Sequence, residues 1–300
     1  MRVLIAGSSG FLGTALRERL AERGHDVVRL VRREAGPGES SWDPYAGRLD
    51  QEVVDTADVV VNLAGAPLLG NPHSGAWARR LRESRVVTTR LLAEAVARSH
   101  TSGVGGHPAY LAQNGSGWYG DHGATVLDEE AGTRGDAFFT ELTRAWQDAT
   151  TPAVDAGARV CVMRTPPVVD RRNPPFKQMW PLFRLGLGGR VGDGRQYFPV
   201  ISTRDWVAAA THLVEGEGSG PFNMCCPTTP THREFTDALA QRLGRRARLS
   251  VPARLVDVAA GRFGSEVVSS FRLEPAALQA DGFEFADEDV RDVVATAARG

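Results

Sequence analysis

The chain opens MRVLIAGSSGFLG, residues 1–13, and this stretch decides the fold. Val3–Ala6 is a short apolar run that reads as a buried strand. Gly7, Gly10 and Gly13 follow at the spacing G-x-x-G-x-x-G. An amphipathic stretch comes next, with Leu12, Leu16 and Leu20 on one stripe and Arg17, Glu18, Glu22 and Arg23 largely off it. Strand, glycine turn and helix together give a glycine pattern its nucleotide-binding meaning. Gly7 permits a tight turn, Gly10 lets a pyrophosphate approach the backbone, and Gly13 lets helix and strand pack closely. The helix N-terminus offers unpaired N–H groups and a positive dipole end to phosphates. Gly7, Ser9, Gly10, Phe11, Leu12 and Gly13 are the expected cofactor-binding residues of this turn. The alternative is a plain strand-to-helix turn.

Working outward, apolar runs and helical patterns alternate. Strands are expected at Val3–Ala6, Val27–Val31, Val59–Leu63, Tyr110–Ala112 and Arg159–Met163, and helices near Phe11–Arg23, Ala76–Ser99 and Phe138–Ala156. Alternation of this kind implies parallel βαβ units, and strands such as VVVNLA are apolar on both faces because helices cover both sides. The expected fold is α/β: a Rossmann-type doubly wound parallel sheet with a smaller C-terminal α/β substrate lobe. The dinucleotide-binding lobe is expected over residues 1–165 with part of 190–215, and an interleaved substrate or lid lobe over 166–300. Prolines 166, 167, 174, 175 and 181 punctuate the start of the second half. There Ser202, with Asp205 three residues on, is placed to cap a helix through Trp206, Ala210 and Leu213. Gly36–Gly38 and Thr101–Gly106 read as mobile loops.

Three hundred residues carry a formal net charge of −1, which gives no reason to expect nucleic acid or an acidic membrane surface as partner. No apolar run approaches the roughly 18–20 residues that cross a bilayer. The chain begins directly on a strand, so no signal peptide is expected. Cys161 lies in an apolar run, and Cys225 and Cys226 are adjacent without metal-ligand spacing. This is a reduced, cytoplasmic pattern. The seven histidines are scattered, and no metal is expected.

The second strand ends Leu30-Val31-Arg32-Arg33. A carboxylate here accepts from an adenosine ribose hydroxyl and favours NAD; an arginine pairs with the extra phosphate of NADP. With two arginines and no acid before Glu34, NADP(H) is favoured over NAD(H). The alternative is a solvated basic strand end. Trp42 either packs near the adenine or joins the core.

With these residues in view, the chain resembles the extended short-chain dehydrogenase/reductase superfamily, and more closely its atypical "epimerase family" branch of sugar-nucleotide epimerase-like proteins. Asn62-Leu63-Ala64-Gly65 matches the N-x-A-G element, which implies that Leu63, Ala64 and Gly65 line the cofactor crevice. Gly117-Trp118-Tyr119-Gly120, the run RLGLGG at 184–189, GDGRQ at 192–196, Gly220-Pro221-Phe222-Asn223 and Gly282-Phe283-Glu284-Phe285 match the branch.

The resemblance implies where chemistry belongs. Active members of the superfamily use a Tyr-x-x-x-Lys pair, in which the lysine cation lowers the tyrosine pKa, with a Ser or Thr on the preceding strand end. The alignment puts Phe139 at the tyrosine position and Thr143 at the lysine position. Asn114 stands where the branch has serine, and it either hydrogen-bonds a carbonyl or forms the turn. Ser116 can substitute if the turn presents it. Tyr119 is the remaining proton donor, or else an aromatic wall. These three are the expected catalytic residues. Arg164 belongs to a segment that runs beside the nicotinamide, with a structural or cofactor-positioning role expected and substrate contact as the alternative. Arg184, Arg190 and Arg195 either hold a substrate diphosphate or form a solvated basic loop. The branch's Ile-His-x-x-Asp becomes Ile201-Ser202-Thr203-Arg204-Asp205.

Two functions fit. One is an NADP(H)-dependent oxidoreductase or sugar-nucleotide epimerase-like enzyme with a degenerate Tyr–Lys pair, taking a small-molecule substrate such as a nucleotide sugar. The other is a catalytically inactive NADP(H)-binding regulatory or interaction protein. The first is favoured because the second half keeps a polar, glycine-rich, ligand-like segment.

Overall fold

A computed structural model describes residues 1–68, 70–103 and 106–299. Val104 and Gly105, within the expected Thr101–Gly106 loop, lie outside the described residues. Eight strands form the central sheet: β1 (Arg2–Ala6), β2 (Asp26–Val31), β3 (Glu39–Asp43), β4 (Arg48–Leu49), β5 (Val59–Asn62), β6 (Ala109–Gly115), β7 (Val160–Thr165) and β8 (Gly220–Asn223). Their order is β8-β7-β6-β5-β1-β2-β3-β4. All neighbours are parallel except β3 and β4. The order reverses between β1 and β5, whose ends pair Ala6 with Asn62. A crevice outside the strand carboxyl ends at such a switch point is where open α/β sheets bind ligands.

Period-two alternation divides β1 between two cores. Val3 and Ile5 face one side with Leu16 and Leu20 of α1 (Phe11–Glu22). Trp206, Ala209 and Leu213, from the helix Thr203–Glu215, complete that side. Leu4 and Ala6 face the other side with Leu92, Ala93 and Val96 of α2 (Gly75–Thr101). Both faces are therefore apolar along β1. Each fully buried leucine contributes about 1.5–3 kcal/mol relative to its exposed state. Trp42 belongs to the core, at 6% exposure. All three cysteines are buried and unpaired.

The expected helix Phe138–Ala156 is two helices, α3 (Phe138–Asp148) and the short Thr151–Asp155. Pro152 lies in the first turn of the second one, where its missing N–H breaks no bond. The sheet also draws on residues beyond 215, because β8 pairs with β7 at its edge. The smaller lobe has its own core of Phe176, Phe183, Phe235, Leu239, Val290 and Val294 among others. Ser202 caps its helix by accepting from the Asp205 N–H at 3.1 Å. The Asp205 carboxylate turns elsewhere, accepting from Asp287 N–H at 2.8 Å. Among the described residues no helix is long and apolar enough to cross a membrane, and no three His, Cys, Asp or Glu side chains gather as a metal site.

Candidate functional site

The glycine turn sits at the switch point and meets the Asn62–Gly65 loop there. Gly7 has φ +79°, and a β-carbon on it would fall 2.5 Å from the Leu63 carbonyl. A β-carbon on Gly13 would fall 2.2 Å from the Gly7 oxygen, so α1 can approach β1 this closely only with glycine there. Gly10 differs: its β-carbon would meet only the Gly7 oxygen, at 3.3 Å, and its outer side is open. Gly10 caps α1 without a side-chain hydrogen bond, and the first turn holds no acidic residue. The helix start therefore keeps its positive end and free N–H groups toward the opening. Ser9 is exposed, and Phe11 and Leu12 are half-buried beside it. A backbone cradle with no β-carbon on its open side fits a dinucleotide diphosphate.

Asn62 fixes the facing loop. Its Oδ1 accepts from the Ala64 N–H at 3.0 Å, and its Nδ2 donates to Thr89 Oγ1 at 2.9 Å. Leu63 N–H donates to the Ala6 carbonyl at 2.9 Å. Leu63, Ala64 and Gly65 thus close the crevice opposite the glycine turn. Sequence reasoning missed Arg85 behind Gly65. It is buried, with Nη2 donating to the Ala66 carbonyl at 3.2 Å and its guanidinium carbon 5.2 Å from the Trp146 ring centroid. No carboxylate pairs with it among the described residues, and burial pulls its pKa down to about 10. A cation on the third turn of α2 carries no local sequence signal of this role.

The two arginines after β2 part company. Arg33 forks onto both Glu39 oxygens at 2.7 Å each, and Arg29 adds a third contact at 2.8 Å. The Arg33 hydrogen bond, then the Gly36 N–H, pull the Glu39 carboxyl down to about 2. This corrects the expectation for Arg33, whose fork is already engaged by a carboxylate. Arg32 is exposed and unpaired among the described residues.

Three further candidate residues turn their polar atoms inward. Tyr119 is fully buried, its hydroxyl donating to Asn223 Oδ1 and accepting from Arg164, both at 2.8 Å. Burial pushes it up to about 12 against the pull of Arg164. Tyr119 is therefore no free proton donor. Arg164 also donates to Gln147 Oε1 at 3.1 and 3.2 Å and to the Glu129 carbonyl at 3.2 Å, and lies 3.5 Å over the Trp118 ring. It ties β7 and the turn after β6 to α3 through four of its five N–H groups. Asn114 donates to the Thr143 carbonyl at 3.1 Å and accepts from the Gly115 N–H at 2.7 Å, which is the turn-forming role.

Ser116 is different. Its hydroxyl makes no hydrogen bond among the described residues. Phe139 and Thr143, which the resemblance set at the Tyr and Lys positions, both lie on α3, and Thr143 Oγ1 donates to the Phe139 carbonyl at 2.7 Å. Of the second-half arginines, Arg184 ends the helix Phe176–Arg184, and Arg195 is 86% exposed and 3.5 Å from Asp193. Arg190 lies on the short strand Gly189–Val191, with its buried Nε lacking a partner. No contact joins the three among the described residues.

Fold and cradle together define a Rossmann-type protein of the extended short-chain dehydrogenase/reductase kind. Residues 3–225 match the NAD dependent epimerase/dehydratase family, and the chain belongs to it. It is 37% identical over 286 residues to the epimerase family protein ML0860 of Mycobacterium leprae, covering 94% of this chain and 91% of that protein. The crystal structure of human epimerase family protein SDR39U1 (isoform 2) with NADPH superposes with a TM-score of 0.87 at 30% identity, covering 99% of each chain. The nucleoside-diphosphate sugar epimerase of Corynebacterium glutamicum gives 0.79 at 31% identity, covering 99% of this chain and 58% of that one.

Proposed function

We propose that this chain is an NADP(H)-dependent oxidoreductase or nucleotide-sugar epimerase that works without the Tyr–Lys pair. The observation that carries the reading is the open glycine cradle at the switch point, with the unpaired Arg32 at the end of the neighbouring strand. Gly7, Ser9, Gly10, Phe11, Leu12 and Gly13 would hold the diphosphate. Leu63, Ala64 and Gly65 would form the opposite wall. Arg32 would take the adenosine 2′-phosphate, since its guanidinium has no other partner. The NADPH in the human relative's structure supports this preference. The bound coenzyme supplies hydride acceptance or donation, and the protein orients it and handles the substrate proton.

A nucleotide sugar is the substrate class supported by the Corynebacterium relative's name and by the unpartnered Nε of Arg190 in the second lobe. A second reading, an NADP(H)-binding regulatory protein, is favoured by Phe139 and Thr143 and by the inward-facing Asn114 and Tyr119. One experiment separates the two. The protein is titrated with NADPH and NADH by fluorescence, then incubated with coenzyme and a panel of nucleotide sugars, ketones and aldehydes. Absorbance change or epimer formation supports the enzyme. Tight NADPH binding with no turnover across the panel supports the regulatory protein.

A further inference from the structure

Besides Ser116, a second group close to the same turn has no hydrogen-bond partner among the described residues. Glu266 lies on the short helix Gly264–Val268, which follows the turn Gly261–Phe263 of the smaller lobe. Its carboxylate oxygens lie 3.1 and 3.2 Å from where a Gly117 β-carbon would stand. The same point is 3.3 Å from Phe139 Cβ. Glu266 thus reaches the turn that follows Ser116, against the helix position where the family carries its tyrosine. Gly117 allows this close approach, because a β-carbon there would press on the carboxylate.

Aromatic packing holds the segment in place. The Phe263 ring is 4.7 Å from Phe139 and 5.7 Å from Trp77, centroid to centroid. Among the described residues no hydrogen bond or ion pair engages the Glu266 carboxylate. Burial pushes its pKa up to about 7. Of the cations on adjoining elements, Arg254 is exposed, and Arg262, Arg144 and Arg164 are engaged elsewhere. Arg262 donates to the Pro72 carbonyl at 3.2 Å, and Arg144 to the Thr140 and Gly135 carbonyls. Arg164 is held by Tyr119 and Gln147. Glu141 on α3 is exposed.

We propose that Glu266 is the proton-transferring residue of this crevice, with the Ser116 hydroxyl as hydrogen-bond donor to the same substrate oxygen. The inference rests on the enzymatic reading above. In the oxidising direction the carbinol O–H bond breaks and its proton passes to a Glu266 carboxylate oxygen. The pair left on oxygen becomes the second carbon–oxygen bond as the carbon's hydrogen departs as hydride to the oxidised nicotinamide coenzyme. The products are a carbonyl compound, reduced coenzyme and protonated Glu266. Reduction runs the same transfers backwards. A carboxyl with no ion pair and a pKa near the working pH suits both directions.

The test uses the full chain, Glu266→Gln and Glu266→Asp, with NADPH affinity and melting temperature measured for each. Carbon-13 NMR of carboxyl-labelled glutamates should show one carboxyl titrating near neutrality that is missing from Glu266→Gln and shifts when coenzyme and UDP-glucose are added. On whichever panel substrate the wild type turns over, Glu266→Gln should lose about 100-fold or more in kcat with KM little changed. Glu266→Asp should recover part of the rate. NADPH affinity should stay within twofold for both. A Glu266 carboxyl titrating in the ordinary range, or an active Glu266→Gln, overturns the inference while the enzymatic reading stands. A wild type that binds NADPH and turns over nothing overturns the enzymatic reading, and this inference with it.

Discussion

Arg164 donates to the Tyr119 hydroxyl at 2.8 Å deep in the molecule. The hydroxyl in turn donates to Asn223 Oδ1 at 2.8 Å, so it acts as both donor and acceptor. The pair joins the turn after β6 to β7 and to the edge strand β8. It is part of the scaffold behind the crevice rather than of the reaction.

Tyr119→Phe should therefore leave turnover within about twofold while lowering stability. Removing the hydroxyl leaves a buried guanidinium N–H and a buried amide oxygen each short of a partner, at a cost of about 1–3 kcal/mol. Urea unfolding alongside a turnover assay checks both halves. Lost turnover at unchanged stability would return Tyr119 to the chemistry.

Gly13→Ala should weaken coenzyme binding at least tenfold and destabilise the fold by about 1–3 kcal/mol. The added carbon would fall 2.2 Å from the Gly7 oxygen, so the start of α1 must move off the turn. Gly10→Ala presses only on the Gly7 oxygen, at 3.3 Å, and should cost binding more than stability. Thermal melts with and without NADPH distinguish the two variants.

Arg32→Glu should reduce NADPH affinity tenfold or more and leave NADH affinity nearly unchanged, with no change in melting temperature because the side chain is exposed. Arg33→Ala should show the opposite profile. It disrupts the ion pair with Glu39, raising that carboxyl's pKa from about 2 toward its usual range, and has little effect on coenzyme choice. Paired NADPH and NADH titrations of both variants decide the matter. Equal losses for the two coenzymes in Arg32→Glu would count against the assignment.

His232 carries the acid sensitivity of the smaller lobe. Burial pulls its pKa down from 6.5 to about 4, so the folded protein holds it neutral where the unfolded chain protonates it. The stabilisation is complete above pH 6.5 and is lost as pH falls through about 4. The loss across that window is on the order of 3 kcal/mol. His232→Gln should flatten the stability-versus-pH curve between those limits, measured by urea unfolding at each pH. An unchanged slope would contradict the assignment.

Much of the scaffold was legible because it is written locally. The run Val3–Ala6, the three glycines and the leucine stripe of α1 lie within the first twenty residues, and each obeys a short-range rule. Arg33 misleads because its partner Glu39 comes into reach only through strand pairing, and Asn114 stays open between ligand contact and turn because the Thr143 carbonyl comes into reach only through helix docking. The sequence leaves Tyr119 open between proton donor and aromatic wall because nothing nearby announces Asn223, 104 residues on. Glu266 had no signal at all. It is an isolated acid in a short helix, and its position opposite Gly117 depends on how the second lobe closes over α3.

The central claim is that the opening loop holds a nicotinamide dinucleotide, and calorimetry on folded protein tests it most directly. The account predicts saturable one-to-one binding of NADPH, tighter than NADH, with Gly13→Ala abolishing most of the heat. Neither heat nor affinity for either coenzyme, with the wild type folded, would contradict it.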